Sequence, residues 1–361
     1  MLRNINKLVA YVLLFFLLFS LAASALPAGN AHAASAPPVL TPRTSPAPDT
    51  AHDVEINFAA NSAWTSAITG VYDGGTPLTA NSQYVIYPAA QSGNQPSVMI
   101  LAGVLSAGTH TIKVTAAGYA DAATSVTVTA AAITPNKKLQ NGGFETPPIS
   151  ASTTPGSKTT TPGAWNYYRD DADGIGWKTT ATDHYIEFRN DIKSNSNSSI
   201  PIPEGGQFAE LNAQFPSSLY QDILTNPGTT VNWRLYHRGR NGTDTMKVQI
   251  GPPGGPLVDQ ASDQGPITDG NSAWRKYTGS YLVPEGQTVT RFSFVSVSSA
   301  NNKANEGNFL DDIFFGIPPH IVVTQTVNTA LTTGDVITYD VKVINNGGDV
   351  ASNTYASRTY P

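Results

Sequence analysis

Residues 233–240 read WRLYHRGR, and the first part of this stretch alternates apolar with polar side chains. Successive side chains of a β-strand point to opposite faces of the sheet, so the alternation predicts a strand that places Trp233 and Leu235 in a core. The opposite face of the same strand carries Arg234, Tyr236 and Arg238.

The same alternation recurs on both sides of this stretch. It leaves Glu210 and Asn212 outward in residues 207–212, and it leaves Arg291 outward in residues 290–295. About eight short strands over about 180 residues, without helical periodicity, predict a jelly-roll sandwich. Further strand-like runs, separated by Gly, Pro, Asn or Ser, occupy residues 185–188, 231–236, 246–250, 274–281 and 290–297.

The composition extends this prediction to the whole chain. Only 13% of the 361 residues are charged, and 31 Gly and 26 Pro interrupt the sequence, so long amphipathic helices are disfavoured. The absence of cysteine excludes disulfides and thiolate chemistry. A net charge of −5 without a basic block argues against nucleic acids and anionic membranes as partners.

The amino terminus has the pattern of an export signal. Arg3 and Lys7 precede an apolar run over 8–23, and Ala31 and Ala33 offer a small-residue cleavage site. We therefore predict a signal peptide over 1–33, no membrane span after its cleavage, and a secreted or cell-surface location. The alternative is a retained membrane helix, although the apolar run is short for one.

A Pro/Ala/Ser/Thr-rich linker is predicted over 34–52, followed by a β-rich module over 53–130. Trp64, Ile68 and Val71 have helical spacing, and short strands are expected at 84–87, 98–101, 110–114 and 126–128. With Gly108-Thr109-x2-Ile112-x-Val114 and Ala117-Gly118-Tyr119-x-Asp121, this pattern resembles the hemoglobin-interacting domain of haem-uptake surface receptors. The resemblance implies hemoglobin as a partner, but few anchoring residues are visible, so weak binding or none is expected.

The segment 131–319 opens with Asn141-Gly142-Gly143-Phe144-Glu145 and closes with Asn308-Phe309-Leu310-Asp311-Asp312-Ile313. These signatures resemble the first and last strands of galactose-binding-like carbohydrate modules. The resemblance implies a jelly-roll fold and carbohydrate or glycoprotein as a partner.

Residues 320–361 contain Gly334-Asp335-x-Ile337-Thr338-Tyr339, strand-like runs at 321–327 and 336–343, and a turn at 345–349. They resemble an immunoglobulin-like surface repeat called domain of unknown function eleven. An immunoglobulin-like sandwich needs about 100 residues, so the segment is predicted to be a partial one. The predicted fold class is therefore all-β, with a jelly-roll sandwich flanked by a smaller β-rich module and a partial immunoglobulin-like sandwich.

A cation site is predicted where the ends of the jelly roll meet. Adjacent first and last strands would bring Glu145 close to Asp311 or Asp312, and calcium accepts carboxylate and carbonyl oxygens in flexible geometry. The family resemblance favours structural calcium at this site. The alternative is that Glu145 makes ordinary backbone hydrogen bonds and that Asp312 is solvated.

A ligand surface is predicted if the outward faces of the strands lie on one sheet. Arg and carboxylate groups bind pairs of hydroxyls, and aromatic rings stack on sugar faces. The predicted binding residues are Glu210, Asn212, Arg234, Tyr236, Arg238 and Arg291. The alternative is a structural ion-pair network that includes Arg238, Arg240, Glu210 and Asp244.

No sequence pattern demands catalysis. A glycosidase needs two nearby carboxylates. Glu187 and Glu210 could supply them, but nothing in their spacing indicates that role. His52, His110, His184, His237 and His320 are scattered singly, which is typical of turn or surface residues. We predict a non-catalytic binding or adhesion protein that recognises carbohydrate, with a haem-acquisition receptor or a structural stalk as the alternatives.

Overall fold

A computed structural model describes residues 34–87, 95–149, 165–190, 201–317, 321–327 and 338–345. The predicted signal peptide and most of the turn at 345–349 lie outside these residues, as does much of the Ser/Thr/Asn-rich segments at 147–163 and 190–203. Within the described part of the chain, no helix is long and apolar enough to cross a membrane.

The first module is a sandwich of two four-stranded antiparallel sheets. One sheet has the order β1-β2-β6-β5 and the other β4-β3-β7-β8. Trp64 lies fully buried between them and packs edge-on against Phe58, with ring centroids 4.9 Å apart. The elements are β1 (Leu40–Pro42), β2 (Val54–Phe58), α1 (Ser62–Ser66), β3 (Ile68–Asp73), β4 (Thr76–Pro77), β5 (Tyr84–Tyr87), β6 (Ser97–Ile100), β7 (Gly108–Ala116) and β8 (Ala122–Val128).

Two expectations for this region need correction. The helix is a single turn capped by the Asn61 side chain, and Ile68 and Val71 belong to β3 rather than to the helix. The predicted linker over 34–52 is extended, but β1 lies within it and pairs with β2, which buries Leu40 in the core. The pair Val39-Leu40 in a Pro-rich segment was too short a pattern to predict an edge strand.

The second module is the predicted all-β sandwich of two antiparallel sheets. One sheet has the order β18-β14-β20-β12-β11-β9, and the other has β10-β13-β19-β15-β16 with β17 on β15. The strands are β9 (Trp165–Arg169), β10 (Lys178–Thr179), β11 (Tyr185–Arg189), β12 (Phe208–Glu210), β13 (Ser218–Leu224), β14 (Thr230–Arg238), β15 (Asp244–Gly251), β16 (Val258–Gln260), β17 (Ile267–Asp269), β18 (Arg275–Leu282), β19 (Val289–Ser298) and β20 (Phe309–Gly316), with a 3-10 turn over Ala300–Asn302.

The core between these sheets contains the apolar side chains that the alternation in each strand predicted to point inward. Trp233 and Leu235 of β14 meet Phe292 and Phe294 of β19, and all four are buried. Trp177 completes the aromatic cluster, because its ring centroid lies 5.7 Å from that of Phe294.

The opening signature at 141–145 is a turn and not the strand expected. Asn141 and Phe144 have φ angles of 49° and 59°, in the left-handed region, which is incompatible with an extended strand. The segment still lies beside the closing strand, because Ile313 N–H donates to the carbonyl of Gly142 over 3.0 Å.

The carboxy-terminal segment contributes one antiparallel hairpin. Strands β21 (Ile321–Val327) and β22 (Tyr339–Asn345) pair along their full length. The immunoglobulin-like assignment of this segment remains a prediction.

Candidate functional site

In the second module, the sheet with the order β18-β14-β20-β12-β11-β9 has one face directed away from the core, which we call the outer face. Cross-strand pairing aligns Tyr167, Glu187, Glu210, Phe309 and Arg238 in one row across five strands. The outer face therefore combines carboxylates, guanidinium groups and aromatic rings.

A buried ion network occupies the middle of the outer face. Arg189 Nη1 donates to Glu187 Oε1 over 2.7 Å and to Glu210 Oε2 over 3.1 Å, while Arg240 Nη1 donates to Glu210 Oε1 over 2.8 Å. Gly307 N–H also donates to Glu210 Oε1, over 2.7 Å. Glu210 thus lies in a buried structural network, which was the alternative to its predicted role in binding.

Burial governs the protonation of this network. Desolvation and the neighbouring Glu210 carboxylate raise the pKa of Glu187 to about 8, and desolvation also raises the pKa of Glu210. The two carboxylates oppose each other across β11 and β12, and Arg189 compensates their repulsion.

Aromatic rings and arginines surround the ion network. The Arg189 guanidinium lies 5.2 Å from the ring centroid of Trp165, whose side chain is 44% exposed. On the other side, the Trp274 ring centroid lies 5.5 Å from that of Phe208 and 6.4 Å from that of Phe309. These rings form a platform next to Arg238, whose guanidinium lies 5.9 Å from the Phe309 ring centroid.

Two donors on this platform are buried without a hydrogen-bond partner. Arg238 is only 3% exposed, and it donates to the carbonyl of Asn271 through Nε over 3.0 Å and through Nη2, but Nη1 has no partner among the described residues. Trp274 Nε1 is likewise buried and unpartnered in that part of the chain. A buried donor left without an acceptor costs about 1–3 kcal/mol, so an added acceptor would stabilise it.

The remaining predicted binding residues do not all meet on this face. Arg234 pairs with Asp312, and Tyr236 is half-buried next to Asp311 across the strands. Asn212 donates to the carbonyl of Ala304 over 3.3 Å and accepts from Asn308 over 2.9 Å, so it holds a turn together.

Arg291 was predicted on the same surface, and this prediction is wrong. Strand β19 belongs to the other sheet, so the face of β19 directed away from the core lies on the opposite side of the sandwich. There Arg291 donates to both oxygens of Asp222 over 2.7 and 2.8 Å, and its guanidinium lies 3.7 Å from the ring centroid of Tyr220.

Sequence reasoning missed Trp165, Arg189 and Trp274 as members of the outer face. Trp165, Tyr167 and Arg169 alternate with the buried Asn166 and Tyr168, and this signal was available in the sequence. Trp274 immediately precedes β18, so its position depends on the loop rather than on strand periodicity.

The predicted calcium residues lie in one neighbourhood, together with Glu204. Glu145 Oε1 accepts from the N–H groups of Gly206 and Gln207, each over 2.8 Å. Asp311 Oδ2 accepts from Glu204 N–H over 2.9 Å, and its buried Oδ1 has no partner among the described residues. Burial, with the nearby Glu204 and Asp312 carboxylates, raises the pKa of Asp311 to about 8.

These groups fit a cation only in part. Asp311 offers a free buried oxygen, whereas Asp312 pairs with Arg234 over 2.9 Å and Glu145 already accepts two backbone bonds. Among the described residues, no three of the carboxylates of Glu145, Glu204, Asp311 and Asp312 bring oxygens within 4.8 Å of one another.

Comparison with known proteins identifies one family match. Residues 40–129 match the Hb-interacting domain of Shr-like heme-binding proteins, which confirms the resemblance of the first module. A search of curated proteins found no significant match.

Several carbohydrate-binding modules are similar to the chain in structure. TmCBM61, solved in complex with beta-1,4-galactotriose, is 14% identical, covers 50% of this chain and 97% of its own, and has a TM-score of 0.30. The CBM22-1 xylan-binding domain of Paenibacillus barcinonensis Xyn10C is 11% identical, covers 40% and 88%, and has a TM-score of 0.28. A CBM4 structure is 16% identical, covers 49% and 97%, and has a TM-score of 0.26. Likenesses of this size do not identify a ligand.

Proposed function

We propose that this chain is an exported binding protein that recognises carbohydrate through the outer face of its second module, without catalysis. The observation that carries the proposal is the pair of buried, unpartnered donors, Arg238 Nη1 and Trp274 Nε1, on an aromatic platform. Sugar hydroxyls supply acceptors for such donors, and the apolar faces of pyranose rings stack on aromatic side chains.

The surroundings of these donors favour a sugar over a purely apolar ligand. Phe208, Phe309 and Trp274 form a cluster of rings tilted against one another by 35–78°, in which Phe208 and Phe309 are buried and Trp274 is partly exposed. The charged Arg238 guanidinium lies beside this cluster. Hydrogen bonds to a charged donor contribute about 1.5–3 kcal/mol, which is enough to orient a neutral saccharide.

Glycan-array screening of the untagged chain, followed by calorimetry on the best ligand, tests this proposal. Arg238→Met keeps most of the side-chain volume and removes the donor, so it should weaken binding about 10-fold to 100-fold. Arg291→Met is the matched control, since Arg291 also lies over an aromatic ring but on the opposite sheet. Loss of binding in Arg291→Met with retention in Arg238→Met would contradict the assignment.

Hemoglobin binding by the first module is the second candidate function, and the family match over 40–129 favours it. Hemoglobin is therefore included as an analyte in the same calorimetry. Submicromolar binding of hemoglobin, without binding of any glycan, would make hemoglobin capture the principal function.

Calcium remains part of the proposal, with Asp311 as its central ligand and with Glu145 and Glu204 as neighbours. A cation bound only to the folded state stabilises that state by mass action. Adding Ca²⁺ to metal-free chain should therefore raise the melting temperature of the second module, and Asp311→Asn or Glu145→Gln should abolish this rise. Asp312→Asn serves as the control and should keep it, because Asp312 is paired with Arg234. Identical melting curves with and without Ca²⁺ would exclude the site.

A further inference from the structure

Two histidines that lie far apart in the sequence meet at the junction between the first two modules. The imidazole rings of His52 and His184 stack with centroids 3.4 Å apart and an interplanar angle of 10°. Both rings are buried and in contact, so these histidines are neither isolated nor on the surface, although His52 does lie in a turn.

Each module contributes one histidine and one carboxylate to this junction. Asp49 and His52 lie in the turn that precedes β2, while Asp170 follows β9 and His184 precedes β11. Asp53 N–H donates to the carbonyl of Thr180 over 2.7 Å and thereby joins the modules next to the histidines.

His52 lies between the two carboxylates. Its Nδ1 is 2.7 Å from Asp49 Oδ1, and its Nε2 is 3.1 Å from Asp170 Oδ2. In protein metal sites, a carboxylate commonly orients an imidazole by accepting from one ring nitrogen, while the other ring nitrogen binds the metal. Asp170 is placed to orient His52 in this way, with Nδ1 directed to Asp49.

His184 is held in place by an unusual backbone. Its φ angle is 61°, in the left-handed region that is uncommon for residues other than Gly, although His, Asn and Asp adopt it more often than the rest. Its N–H donates to the carbonyl of Ala181, and its carbonyl accepts from Asp170 N–H. Such a conformation persists only where the surrounding structure enforces it.

We propose that Asp49, His52 and His184 bind a divalent transition-metal ion, for which Zn²⁺ is the probe, and that Asp170 orients His52 as a positioning residue. One ligand atom from each of the three binding residues already lies within 4.8 Å of the others. Tetrahedral Zn²⁺ with ligands at about 2.0–2.1 Å requires separations of about 3.3 Å. Binding therefore requires the side chains to move closer and the two stacked rings to tilt until one nitrogen of each points at the same ion.

The charges of the junction suit a cation. Two carboxylates face the rings. Among the described residues, Arg169 donates to Asp171 over 3.0 Å, and Lys178 donates to the backbone carbonyl of Asp170 over 2.6 Å. Burial and the neighbouring His52 lower the pKa of His184 to about 4, which leaves its ring neutral and able to act as a ligand. Burial opposes the charged form of His52, but hydrogen bonds to Asp170 and Asp49 outweigh this effect and raise its pKa to about 9.

Calorimetric titration of ZnCl₂ into untagged, metal-free chain at pH 7 tests this inference. We expect saturable binding of one ion per chain. Asp170→Asn should weaken binding 10-fold to 100-fold, as loss of an orienting carboxylate does.

The decisive variant is His184→Asn, because Asn tolerates the left-handed backbone and so removes the imidazole without refolding the turn. It should abolish saturable binding, and Asp49→Asn provides a second test if melting shows that His184→Asn is unfolded. The matched control is His110→Ala, which removes a His–Asp pair of 2.8 Å from the first module alone and should leave zinc affinity unchanged. Absence of zinc binding to the folded wild-type chain, or wild-type affinity in a folded His184→Asn variant, would overturn the proposal.

Discussion

Trp233→Ala should lower the free energy of unfolding of the second module by about 3–5 kcal/mol, the range for removing a large aromatic side chain from a core. Trp233 is 1% exposed, and its ring packs against Phe292 with centroids 6.5 Å apart. A Cβ atom on Gly279 would overlap the indole, so the neighbouring strand is shaped around this ring. The cavity left by alanine cannot close without moving two sheets.

Urea unfolding followed by tryptophan fluorescence and circular dichroism measures this effect. Trp165→Ala is the matched control, because it removes the same side chain from a 44% exposed position on the same sheet. The control should cost less than about 1 kcal/mol, as for most surface substitutions. Equal losses in the two variants would mean that Trp233 does not anchor the core.

Arg189→Met should destabilise the second module by about 3–5 kcal/mol, because it leaves the carboxylates of Glu187 and Glu210 facing each other in a buried site. Arg189 Nη1 is the group that bridges these carboxylates, at 2.7 and 3.1 Å. Methionine keeps much of the apolar volume, so the loss reports the missing charge rather than a cavity.

The free energy of unfolding of the second module should also decrease as the pH rises. The folded-state pKa of Glu187 is raised from 4.5 to about 8, so the folded protein holds a proton that the unfolded chain releases. Stability therefore falls as the pH rises from about 4.5 to about 8. In Arg189→Met the fall should continue to higher pH, because the guanidinium that lowers the Glu187 pKa is gone.

Adding Glu187→Gln to Arg189→Met should restore part of the stability and flatten the pH dependence, since an amide removes the charge repulsion. Lys247→Ala is the control, because its pair with Asp259 is exposed and should contribute less than about 1 kcal/mol. A variant of Arg189 as stable as the Lys247 control at pH 8 would show that the buried network is not stabilising.

Local alternation explains what the sequence predicted well. The two-residue alternation of apolar and polar side chains in β14 and β19 identified Trp233, Leu235, Phe292 and Phe294 as core residues. Which side chains of a strand share a face follows from their positions in that strand alone. Alternation gives no such prediction for β13. All residues from Leu219 to Ile223 are buried, and the polar Gln221 and Asp222 among them break the apolar pattern.

The sequence by itself therefore determined the all-β class, the core phase of the main strands and the resemblance of the first module. Only the tertiary structure decided which faces meet, because strand pairing is non-local. It placed Arg291 and Arg238 on opposite sheets although both have the same outward phase. It also brought His52 to His184, and it buried Arg238 Nη1 where none of the described residues accepts from it. The segments involved are distant in the sequence, so no local pattern predicts their contacts.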